Sequence, residues 1–141
     1  VLHMLRRLVG DDVFFRALRR FYTDYKFVKA GTPDLERAFE AESGQTLDRF
    51  FERWIYGSDI PRVRYKATLN PGEVVLRFEQ DAAKVFDIPV LVTITTADGR
   101  TTEIVVAVTS ASMEHRVSVN GAVRSVQINR DNGALAEFEG L

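Results

Sequence analysis

The apolar residues of this chain change period near Pro61, and that switch constrains the fold more than any single motif. Before it they recur at helical spacing; beyond it they alternate, as on a strand with one buried face. Helices followed by a run of strands read as an α+β chain in two parts. The expected architecture is an N-terminal four-helix segment over residues 1–60 and an antiparallel β-sandwich of about seven strands over residues 61–141.

Within the helical part, Val1, Met4, Leu5 and Leu8 form a first stripe that Gly10 closes. Asp11 and Asp12 are then placed to cap a second helix, whose stripe is Phe14, Ala17, Leu18, Phe21, Tyr22 and Tyr25. Thr32 followed by Pro33 predicts the N-cap and first helical residue of a third helix, with Leu35, Ala38 and Phe39 inward and an end near Ser43 and Gly44. Thr46 predicts the cap of a fourth, which turns Leu47, Phe50, Phe51, Trp54 and Ile55 inward. Val1 lies inside the first stripe with no cap before it, so the sequence is expected to be a piece cut from a longer chain.

In the second part, Val63, Tyr65, Ala67 and Leu69 alternate with Arg62, Arg64, Lys66 and Thr68, and Asn70-Pro71-Gly72 makes a turn into residues 74–78. Residues 89–96 and 100–108 flank Asp98-Gly99, the favoured pair for a type I′ hairpin. Residues 115–119 and 123–128 follow around Asn120-Gly121, and a short last strand is expected at 135–138.

Composition removes several functions. A formal charge of -1 gives no general attraction to nucleic acid or anionic lipid. The absence of cysteine excludes disulfides, thiolate metal sites and thiol catalysis. No apolar run approaches the ~20 residues of a transmembrane helix. Two histidines are present, His3 and His115, and neither has a second His within four residues, whereas a catalytic zinc needs three convergent protein ligands. The acidic pairs Asp11-Asp12, Glu36 with Glu40, and Asp48 with Glu52 read as helix starts or exposed helical faces, with nothing to push two carboxyl pKa values apart. Arg6, Arg7, Arg16, Arg19 and Arg20 could form a binding patch, but Arg16, Arg19 and Arg20 point away from the Phe14 stripe and read as solvated surface. The sequence therefore assigns no catalytic, cofactor-binding or metal-binding residue.

The helical part resembles a stretch of the aminopeptidase N family of zinc metallopeptidases, the gluzincin group. The resemblance runs through Val1-Leu2-His3-Met4-Leu5-Arg6, Gly10-Asp11-Asp12-Val13-Phe14 and Thr32-Pro33-Asp34-Leu35. It continues through Glu42-Ser43-Gly44-Gln45-Thr46-Leu47, Phe50-Phe51-Glu52-Arg53-Trp54-Ile55-Tyr56-Gly57 and Ile60-Pro61. The β part, from Val63-Arg64-Tyr65, resembles by position and pattern the small sandwich that follows the catalytic domain in many members. The resemblance implies a parent enzyme that releases N-terminal residues from peptides. Members bind zinc through two His of a His-Glu-x-x-His helix and a Glu on the next helix. A Tyr stabilises the transition state, and a Gly-x-Met-Glu-Asn-type loop grips the substrate amine. All of these precede the point matching Val1, and none carries over to this sequence.

The expectation is accordingly a C-terminal aminopeptidase piece, inactive by itself, with zinc and peptide substrate belonging to the intact parent. Its partner would be the rest of the catalytic domain, and Val1, Leu2, Leu5 and Leu8 would leave an apolar face prone to self-association. A parent that has lost its zinc ligands and serves as a scaffold is a variant of this reading. The rival reading is a free-standing protein- or carbohydrate-binding sandwich module. Peptide capture by strand addition at a sandwich edge is a third, although no sequence feature singles out that edge.

Overall fold

The computed structural model describes residues 1–141, which form two compact units, Val1–Asp59 and Ile60–Leu141. The first contains α1 (Leu2–Val9), α2 (Asp11–Tyr25), α3 (Thr32–Ser43) and α4 (Asp48–Trp54). The second contains β1 (Arg62–Asn70), β2 (Glu73–Glu79), β3 (Ile88–Thr96), β4 (Thr101–Val108), β5 (Ser112–Ser118), β6 (Val123–Ile128) and β7 (Glu137–Gly140). The α+β order of helices and then a two-sheet β part is the expected one.

Gly10 ends one helix and begins the next. Its N–H donates to the Arg6 carbonyl at 2.8 Å, and its own carbonyl accepts from Phe14 N–H at 2.9 Å. It does so at φ 86 and ψ 158, a conformation open to glycine and strained for other residues. The cap of α2 is therefore Gly10, and neither Asp11 nor Asp12 takes that role. Asp11 sits in the first turn, where its carboxylate receives Arg6 from α1 through two bonds of 2.8 and 2.9 Å. The sharp turn also lays α1 along α2. The expected apolar face of α1 is consequently not open. Leu5 is 1% exposed and Leu8 half-buried, and only Val1 and Leu2 in the first turn remain exposed.

On α2, Phe14 and Ala17 are buried and Leu18, Phe21 and Tyr25 half-buried, but Tyr22 is 68% exposed. At ~100° per residue Tyr22 lies about 80° round the helix from Phe14, at the shoulder of the stripe. Phe14 meets Phe39 of α3 with ring centroids 5.4 Å apart. Helix α3 starts at Thr32 with Gly31 as its cap, one residue before the expected cap, and Asp34 accepts Gly31 N–H at 2.9 Å. Helix α4 likewise has Leu47, not Thr46, at its cap position. Its inward residues Phe50, Phe51 and Trp54 are buried together with Leu47, whereas Ile55 is 37% exposed beyond the helix end.

The β unit has sheets ordered β5-β2-β1-β7 and β4-β3-β6. Strand β2 turns Val74, Leu76 and Phe78 into the core, and β3, paired with β4 and β6 along its two edges, is buried at every residue from Ile88 through Ile94. All strand pairs are antiparallel except one: β7 runs parallel to β1, with Val63 opposite Phe138. β7 also begins two residues later than expected, at Glu137, whose N–H bonds the Pro61 carbonyl at 2.9 Å. The alternation of β1 weakens toward its end, where Leu69 is 53% exposed.

The β3–β4 connection is not a type I′ turn. That turn needs positive φ at both central residues, and here only Gly99 has it, at φ 83. Gly99 N–H bonds the Thr96 carbonyl and Thr96 N–H bonds the Arg100 carbonyl, each at 2.9 Å, which is the pattern of a longer loop closed by a left-handed glycine. Asp98 is drawn instead to the Thr96 hydroxyl and to Arg100, and these bonds hold its carboxyl down at about 2.

Phe39 is 0% exposed and packs on Phe14, so Phe39→Ala is expected to destabilise the helical unit by about 3–5 kcal/mol. Urea unfolding followed by the fluorescence of Trp54, the single tryptophan, measures the loss.

Candidate functional site

Glu36 and Glu40 stand one helical turn apart on α3, and Asp48 opens α4. The loop between the helices folds back because Leu47 N–H donates to Glu40 Oε2 at 3.0 Å, satisfying a helix-start donor that no nearby cap supplies. This brings Asp48 beside Glu36, and one carboxylate oxygen from each of Glu36, Glu40 and Asp48 lies within 4.8 Å of the others. Two of the three are half-buried and Asp48 is exposed. The expected Asp48–Glu52 pair thus gives way to a grouping that spans two helices, and Glu36 and Glu40 do not lie on an exposed face.

The environment does push one carboxyl away from its ordinary range. Burial raises Glu36 first, then a hydrogen bond with Asp48 and the negative charges of Glu40 and Asp48, taking it to about 7. A carboxyl at that value takes up a proton near neutrality, and the protonated Glu36 donates a hydrogen bond to Asp48. Three oxygen donors suit a hard cation and do not fit zinc, which favours histidine nitrogen and thiolate sulfur with at most a carboxylate among them. His3 is exposed on α1 in the helical unit, and His115 is half-buried on β5 in the β unit. Each is the sole histidine of its unit, so neither unit offers a histidine pair for zinc.

Arg16, Arg19 and Arg20 are exposed on α2, as their pattern predicts, and two of them also reach α3. Arg16 Nε and Arg20 Nη1 both donate to Glu42 of α3, at 3.2 and 3.0 Å, and hold that carboxyl below its usual range. A second clasp joins the other ends of the two helices: Tyr25 Oη donates to Asp34 at 3.1 Å, and Arg37 also bonds Asp34. The outer part of the aromatic stripe borders a shallow apolar hollow of about 280 Å³, lined by Phe21, Tyr22, Tyr25, Lys26 and Ala30.

No family model matches the chain. Among curated proteins it is similar to aminopeptidase N of Lactococcus lactis subsp. lactis, with 23% identity over 63% of this chain and 11% of that protein. Among solved structures it is similar to Legionella pneumophila aminopeptidase A, crystallised in complex with aspartic acid. That likeness has a TM-score of 0.79 and 19% identity, and covers 98% of this chain and 17% of the other. The chain therefore spans less than a fifth of the length of either protein. It shares the fold of part of one aminopeptidase and, over a shorter stretch, some of the sequence of another.

Because Glu36 is raised above its ordinary 4.5, protonation favours the folded helical unit. That contribution is full below about 4.5 and is lost as the pH rises through about 7. Glu36→Gln is expected to flatten this part of the stability–pH curve and to leave the unit more stable than the parent above pH about 7. Urea midpoints of both proteins, read from Trp54 at a series of pH values, give the comparison.

Proposed function

We propose that this chain is the C-terminal region of an aminopeptidase N-like zinc peptidase of the gluzincin group. In this reading the helical unit completes the catalytic domain and the β unit is the sandwich that follows it. The parent hydrolyses N-terminal residues from peptides, and its zinc and substrate-amine ligands lie upstream of Val1. The observation that carries the reading is that similarity to a single aminopeptidase chain extends over 98% of this one, from the helices through the strands. The ordered motifs from Val1 to Pro61 and the likeness to a bacterial aminopeptidase N support it from the sequence side.

In this reading the chain by itself is catalytically inert. Zinc-dependent hydrolysis requires an ion that activates water and polarises the scissile carbonyl. The carboxylate group at Glu36, Glu40 and Asp48 has the wrong donors for that ion, and each histidine stands without a second in its unit. The side chains of this region instead support the shape of the domain they complete.

Two measurements test the proposal. The chain incubated with zinc and aminoacyl p-nitroanilides is expected to show no turnover above a protein-free blank and to retain no zinc after dialysis. Turnover, or stoichiometric zinc, would overturn the inert reading. The gene upstream of Val1 is expected to encode His-Glu-x-x-His with a downstream Glu and Tyr, and their absence would remove the peptidase assignment of the parent.

A further inference from the structure

Strand β5 is an edge strand, hydrogen-bonded to β2 on one side only. Its backbone orientation follows from its ends: Ala111 accepts Gln80 N–H at 2.8 Å and Val119 N–H donates to Gly72 at 3.0 Å. The odd-numbered residues between them therefore turn their backbone groups toward β2, and Ser112, Glu114, Arg116 and Ser118 turn theirs outward. The same four residues are exposed, and the side chains of Glu114 and Arg116 are 54% and 60% accessible.

The sequence of this strand, Ser-Met-Glu-His-Arg-Val-Ser, is matched to its own reverse about His115. Placed antiparallel to a second copy with His115 opposite His115, it sets Glu114 against Arg116, Arg116 against Glu114, Met113 against Val117 and Ser112 against Ser118. The outward-turned Glu114 and Arg116 then fall at the hydrogen-bonded positions and His115 at the non-hydrogen-bonded one, as backbone geometry requires. Sliding one copy by two residues in either direction places Glu114 opposite Glu114 or Arg116 opposite Arg116. Like charges directly opposite destabilise a strand pair and opposite charges stabilise it, so the charges select one register. Within its own chain Arg116 lies 3.0 Å from Glu73 and 3.8 Å from Glu114, so the guanidinium already sits among the carboxylates on this face.

The other edges lack this property. β4 carries one charged residue, Glu103, and β7 is four residues long. β6 carries a single charge, Arg124. Charged residues on an edge strand ordinarily discourage pairing. On β5 their order makes the edge complementary to itself.

We propose that β5 is a self-recognition edge, through which two copies of this chain join by a two-fold antiparallel β5–β5 contact centred on His115. The contact involves two seven-residue strands and little area, so the dimer is weak and short-lived.

Covalent trapping is suited to such a complex. The chain has no cysteine, so His115→Cys introduces a single thiol. At a non-hydrogen-bonded pair the two Cα atoms lie about 4.5 Å apart, within disulfide reach. Ser118→Cys serves as the control, since its two copies would be about 20 Å apart in this register. Under the same mild oxidation, His115→Cys is expected to form disulfide dimer at least ~10-fold faster than Ser118→Cys. Sedimentation equilibrium supplies the second arm. Glu114→Arg and Arg116→Glu are each expected to weaken the dimer by about tenfold, because symmetry converts two attractive pairs into two repulsive ones. The double variant Glu114→Arg/Arg116→Glu is expected to restore it. Equal trapping rates at the two cysteine positions, or association that ignores charge reversal or is not restored in the double variant, would overturn the proposal. Far-UV circular dichroism of each exposed-site variant separates loss of pairing from loss of fold.

Discussion

The helical unit depends on the carboxylate of Glu40. Helix α4 is only seven residues long and starts without a side-chain cap of its own, and so short a helix is marginal without outside support. Glu40 provides it by accepting Leu47 N–H from across the loop. This ties the last turn of α3 to the first of α4 and places Leu47, Phe50, Phe51 and Trp54 in the core. Asp48 follows Leu47 and cannot avoid Glu36. Three carboxylates then share a small, partly desolvated volume, and holding a proton on Glu36 relieves the repulsion. The unusual ionisation is a consequence of satisfying a helix start.

The β unit is organised by burial on both faces of one strand. β3 sits between β4 and β6 and loses nearly all solvent contact, including Thr93, whose hydroxyl reaches Glu103. A central strand of this kind leaves little freedom in register, because a one-residue slip would exchange its two packed faces. The freedom is displaced to the edges. There β7 joins β1 by a short parallel pairing, and β5 presents a row of free backbone groups flanked by opposite charges.

Much of this fold was legible in the residues. The stripe through Phe14, Ala17, Leu18 and Phe21, the Ala38–Phe39 pair of α3 and the Phe50, Phe51, Trp54 face of α4 all lie on the buried or half-buried side, because helical period and burial are directly linked. The misreadings were local. Asp11 and Thr46 are good capping residues, yet Asp11 is taken by Arg6, and the α4 start is satisfied from α3. Asp98 and Gly99 favour a type I′ turn, yet Thr96 and Arg100 draw the Asp98 carboxylate into a different loop. The apolar stripe of α1 looked open because sequence spacing does not show that the turn at Gly10 folds it onto α2. Glu36, Glu40 and Asp48 looked like separate surface pairs because their convergence depends on a bond between residues seven apart in a loop.

Period and composition alone set where helices give way to strands, which stripe of each helix is apolar, and that the chain carries two histidines, His3 and His115. Those properties follow from period, composition and the scarcity of one residue type, and they hold for any packing of the elements. The tertiary structure settles which polar groups meet: the carboxyl cluster, the clamp of Arg16 and Arg20 on Glu42, and the charges along the β5 edge. Such encounters depend on loop geometry and strand order, to which hydrophobic patterning is insensitive, because a polar side chain finds its partner through position in space and not through spacing along the chain.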